Sequence, residues 1–137
     1  MKEYKVDRKG FNYFRQRCMH WAKILSISHF EFFFQFGDTP DDVRADIGID
    51  LVGKICTIRL NSEWTSPVTK VQLDRVAFHE ILELLLADLA FYAYISASRG
   101  LVEEVTHKII RSLENYVFKS ASVVEIKTNI TKGKKRK

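Results

Sequence analysis

Cysteine is scarce in this chain of 137 residues: only Cys18 and Cys56 are present. Two thiols are too few for a disulfide framework, and neither has a neighbour at zinc-finger spacing, so both are expected to be reduced and buried. Proline is equally scarce and glycine modest, at two and six residues, which excludes collagen-like and linker-like character. No apolar run approaches the ~20 residues of a membrane span; the longest, Leu84 to Ile95, is interrupted by Asp88. The opening Met1-Lys2-Glu3-Tyr4-Lys5 has no apolar segment of a secretory signal, and the expectation is a cytoplasmic protein with no membrane partner. A Gly-rich phosphate loop is also missing.

Apolar residues make up 46% of the chain and charged ones 28%, the balance of a globular domain with a core of its own. The net charge of +5 is concentrated at one end. Five basic residues lie in Lys132-Gly133-Lys134-Lys135-Arg136-Lys137; before them seventeen basic residues meet seventeen acidic ones. We therefore expect one domain over residues 1–126 and a basic, flexible tail over 127–137. Such a tail can give weak, salt-sensitive contact with nucleic acid.

Phe11, Phe14, Cys18, Trp21, Ala22 and Leu25 recur at three- and four-residue spacing, predicting a helix over 8–25 capped by Asp7. The aromatic run His29 to Phe36 favours extended structure, and its unbroken phenylalanines suggest a sheet covered on both faces. A turn cluster, Gly37 to Asp42, precedes an alternating segment, Val43 to Leu51, and the two strands suggest a hairpin. Ile55 to Leu60 is a third strand. Residues 69–96 are the longest helical signal, apolar over most of the circumference and capped by Thr69, as expected of a helix in the middle of a fold. Ser98-Arg99-Gly100 reads as its stop signal. A last helix, 101–118, carries the stripe Leu101/Val102, Val105, Ile109, Leu113 and Tyr116/Val117, with Glu103, His107, Ile110 and Glu114 along its flank. Val123 to Ile130 reads as a further short strand. Helix, strands, then helices is the order of an α+β domain with a small antiparallel or mixed sheet of three to four strands.

The polar residues of the long helix are not scattered. His79 and Glu83 are four apart and project from one side, the spacing at which a helix offers two ligands to one metal ion. Glu80 lies ~100° round from His79, where it can reach a water held by that ion and act as general base. The usual metalloprotease signature has histidine at both ligand positions. A carboxylate is an accepted zinc ligand, and its added negative charge would weaken the ion as a Lewis acid. A third ligand is sought in the following helix: His107 first, with Glu103 as rival and Glu103 or Glu104 as partners able to orient the histidine. The competing reading is ordinary structure, with His79 a satisfied core histidine and Glu83 ion-paired to Arg75 or His107.

The segments His79-Glu80-Ile81-Leu82-Glu83-Leu84-Leu85-Leu86 and Glu103-Glu104-Val105-Thr106-His107-Lys108-Ile109-Ile110-Arg111-Ser112-Leu113-Glu114-Asn115 resemble the small metallopeptidase-like proteins of tailed bacteriophages and prophages. The likeness covers about residues 43–118. It implies a zincin-like fold, Zn2+ held by His79, Glu83 and His107, Glu80 as catalytic base, a peptide or protein substrate and a host-cytoplasmic setting. It also implies that Ile55–Leu60 is an edge strand receiving an extended peptide. Two other functions compete: an inactive zincin-like module that binds a host protein, and a nucleic-acid-associated protein using the basic tail.

Overall fold

The computed structural model describes residues 2–134, with side chains as far as Lys119. A short strand β1 (Tyr4–Lys5) leads into helix α1 (Arg8–Ile24), whose first turn is closed by Asp7 accepting from the Gly10 amide at 2.7 Å. Strands β2 (Glu31–Gly37), β3 (Ala45–Asp50) and β4 (Ile55–Asn61) follow, then a two-residue strand β5 (Glu63–Trp64) that pairs with β1. Helices α2 (Lys70–Ser96) and α3 (Arg99–Lys134) complete the α+β chain. Thr69 caps α2, accepting from the Gln72 amide at 3.2 Å.

The three longer strands form a mixed sheet in the order β2-β4-β3. The expected β2–β3 hairpin is therefore corrected. β2 runs parallel to β4, from Glu31↔Ile55 to Gly37↔Asn61, while β3 is antiparallel to β4, from Ala45↔Leu60 to Asp50↔Ile55. Loop length explains the choice. Residues 51–54 turn tightly, with the Gly53 amide donating to Asp50 Oδ1 and Lys54 in the left-handed region. The longer 38–44 segment, where Asp41 and Asp42 take positive φ, spaces β2 from β3.

One sheet face is covered, not two. Cys56, Ile58 and Leu60 of β4 are buried under α1 and α2, flanked by Phe32, Phe34 and Phe36 on one side and Ala45, Ile47 and Ile49 on the other. Phe33 points to the open face. Strand alternation sends Glu31, Phe33 and Gln35 outward and keeps Phe32, Phe34 and Phe36 on the covered face, which composition alone does not reveal. Trp64 is buried, with the Arg44 guanidinium over its ring. Both cysteines are buried; burial raises the Cys18 thiol well above its usual range and Cys56 to about 12.

α2 is buried only over its first half, where Leu73, Val76, Ala77 and Ile81 meet the sheet and α1, and Phe78 and Leu82 meet α3. Beyond Leu84 it runs past the core, and Leu89, Tyr92 and Ile95 are exposed. It ends at Ala97, so Gly100 is no stop: it lies in the first turn of α3, where Ser98 accepts from the Leu101 amide. The face of α3 also differs from expectation. Val102, Ile110, Glu114 and Phe118 are buried, whereas Val105, Ile109 and Leu113 of the expected stripe are exposed. The backbone is helical over 123–130, where a strand was expected, and the proposed tail boundary at 126 falls inside α3. The tail's last residues, 135–137, lie outside the described residues.

Candidate metal centre

α2 and α3 meet along a seam whose sheet side is polar. His79 and Glu83 project from α2 one turn apart, and His107 faces them from α3. His107 Nε2 donates to Glu83 Oε1 at 3.0 Å, and His79 Nε2 lies 3.4 Å from the same oxygen. One donor atom from each of the three residues falls within 4.8 Å of the other two. The two imidazoles face one another with ring centroids 5.9 Å apart. The spacing of i and i+4 accounts for the first two positions. The third depends on the α2–α3 packing, in which Ile110, three residues after His107, is fully buried against Phe78 and Leu82.

Glu114, two turns beyond His107, is a component that sequence reasoning left without a role. Its side chain is buried and accepts from His79 Nδ1 at 2.7 Å, with the Arg75 guanidinium 3.7 Å from its other oxygen. Arg75 also donates to Asn115 Oδ1. The contact fixes the His79 ring and leaves Nε2 directed at Glu83 and His107. The signal was present as the row Glu103, His107, Ile110, Glu114, but nothing in the row distinguished a buried acid from a solvated one. The residues considered as orienting partners behave otherwise: Glu103 pairs with Arg99 at 3.1 Å, and Glu104 is exposed.

Glu80 is 4% exposed, and its Oε2 has no hydrogen-bond partner among the described residues. Burial first, then the adjacent Glu83 charge, pushes its carboxyl up to about 8. Burial opposes ionisation of His79, but hydrogen bonds to Glu114 and Glu83 outweigh it and raise the imidazole to about 10. Burial likewise opposes ionisation of Glu83, and is outweighed by the hydrogen bond from His79 and its charge, so that carboxyl lies below its usual range.

These groups line an open cleft of about 520 Å³, closed on its far side by Asp42 to Asp46 at the start of β3. It continues past Glu83 and His107 into a second hollow of about 810 Å³, walled by Ile47, Ile49, Ala87, Phe91 and Tyr94. The strand bordering the cleft is β3, which pairs on one side only among the described residues. The peptide-receiving edge implied for Ile55–Leu60 is thus corrected: β4 is the central strand and has no free edge.

The comparisons add no relative. No protein-family model matches the chain, and neither a curated protein nor a solved structure does. The chemistry of the site therefore rests on its own donor set. Two imidazole nitrogens and a carboxylate oxygen fit a zinc-type ion with an open fourth position. The orienting acid on His79 and the buried acid with a free oxygen fit the surroundings of such an ion.

Proposed function

We propose that the protein is a zincin-like, zinc-dependent hydrolase of peptide bonds, with His79, Glu83 and His107 as metal ligands and Glu80 as general base. The observation that carries this reading is the convergence of three donor atoms within 4.8 Å beside a buried glutamate whose Oε2 has no partner among the described residues. A zinc ion held by these three residues would polarise a carbonyl and acidify water. Glu80, ionised by the charge of such an ion, would take the proton of the attacking water and return it to the leaving amine. Glu114 holds His79 in one tautomer and orientation. The free edge of β3 offers backbone groups to an extended peptide, and the apolar hollow beyond His107 takes one of its side chains. Glu83 adds negative charge where the usual signature has a second histidine, which makes this a slow hydrolase. A phage or prophage protein acting in a host cytoplasm belongs to the same proposal, through the resemblance of the two helices.

The test begins with chelator-treated protein and added zinc. One ion bound per chain, with ligand loss on substituting His79, Glu83 or His107 by alanine, is expected. Saturation at 100 times the dissociation constant would stabilise the fold by about 2.7 kcal/mol. Glu80→Gln should keep the ion and abolish cleavage of a mixed peptide library. A metal-binding protein that cleaves no peptide would be the inactive binding module. A chain whose stability ignores zinc would leave an ion-pair cluster and end the metal reading.

A further inference from the structure

The back of the α2–α3 hairpin is apolar and uncovered. On α2, Leu85, Leu89 and Tyr92 are 40%, 64% and 67% exposed. At 100° per residue they share an arc of roughly 60°, roughly 140° round the helix from His79 and Glu83. On α3, Leu101, Val105, Ile109 and Leu113 repeat every fourth residue, joined by Tyr116, and are 41% to 76% exposed. The cause lies in the lengths of the elements. α1 stops at Ile24, with Trp21 and Leu25 against Phe78 and Leu82, and covers α2 no further.

Half-exposed side chains of this size leave on the order of 700 Å² of apolar surface across the two rows. That exceeds the patches usual on a monomer and approaches the ~800 Å² per partner of a stable interface. The charges beside the α3 row choose the occupant. Glu104 lies toward the helix start, and Lys108 and Arg111 lie further along; all three are exposed. A second α3 laid antiparallel across the row near residues 105–109 brings each Glu104 to the other copy's Lys108 and Arg111. Parallel alignment sets like charge against like. An antiparallel, two-fold contact is self-complementary from one sequence.

We propose that two copies of this chain associate through the backs of their α2–α3 hairpins, with the α3 helices antiparallel, forming a four-helix layer that leaves both clefts facing outward. This does not depend on the metal or on any activity.

Sedimentation of the full chain from about 1 to about 200 μM tests it. A monomer–dimer equilibrium is expected, and Val105→Glu with Ile109→Glu should weaken it roughly 100-fold while helix content is unchanged, since both side chains are already solvent-exposed. Glu104→Arg alone, and Lys108→Glu with Arg111→Glu alone, should each weaken self-association. Mixing these two variants should restore dimers as heterodimers. A monomer throughout the range, a dimer indifferent to the apolar substitutions, or a mixture that fails to recover would overturn the proposal.

Discussion

Glu80 is a carboxyl held where its ionised form is disfavoured. In the metal-free protein its folded value of about 8 stands above the ordinary 4.5 of an unfolded chain. Its contribution to stability is full below pH 4.5 and is lost as pH rises through 8. His79, raised from 6.5 to about 10, acts in the same direction over a higher window, full below 6.5 and lost toward 10. Glu83 opposes both at the acid end: its lowered carboxyl contributes above 4.5 and fades as pH falls further. Metal-free protein should therefore lose stability steadily from pH 6 to pH 10. Glu80→Gln should remove the lower part of that slope and make the chain more stable than the parent at pH 9, by on the order of 2 kcal/mol. Urea titrations at pH 5 and pH 9 decide it; equal gains at both would show that Glu80 ionises in the folded chain as it does in the unfolded one. Spacing made the α2 half of this site legible, because i and i+4 share a side in any helix. Glu114 and Arg75 were not legible in their roles, because whether an acid is buried depends on which face of α3 meets α2.

The elements were read best where one period dominates. α1, its Asp7 cap, the Thr69 cap and the alternation of β3 all follow from short-range pattern. The errors arise where a local signal competes with a tertiary one. The apolar stripe of α3 was assigned to the core, yet the helix is rotated so that His107 and Glu114 reach their partners on α2. Two aromatic and aliphatic strands adjacent in sequence suggested a hairpin, but strand pairing followed the shorter 51–54 turn. Gly100 is a sharper case. A glycine at the end of an apolar helix reads as a stop, but here the backbone is helical, and a Cβ on Gly100 meets nothing within 4 Å among the described residues. Gly100→Ala should therefore stabilise the protein by about 0.4–1 kcal/mol. Ser98→Ala removes the side-chain acceptor at the Leu101 amide and should cost about 1 kcal/mol. Thermal melts of both variants separate the assignments, since a left-handed stop residue would make the glycine substitution destabilising.

Charge at the scale of the whole chain is divided between a body of balanced sign and a basic end. Within the body several arginines are engaged by acids. Arg59 is bidentate on Asp46, Arg17 and the Trp21 indole share Asp74, and Arg75 meets Glu114 and Asn115. The outer sheet face has Phe33 as its exposed aromatic but pairs its arginine with an acid, which is poor ground for tracking a phosphate backbone. The nucleic-acid contact expected from the sequence would therefore fall to residues 132–137. Five charges predict a logarithmic salt slope of about −4 to −5 on duplex DNA. Deleting 132–137 should abolish the binding and leave the proposed zinc affinity and the melting temperature as they were. Fluorescence anisotropy with a labelled duplex between low and physiological salt measures the slope. Equal binding after deletion would move the contact to the exposed lysines and arginines of the body. The two properties are separable because the centre is built from groups that neutralise one another within the α2–α3 seam, whereas the terminal charges have no acidic counterpart nearby in sequence.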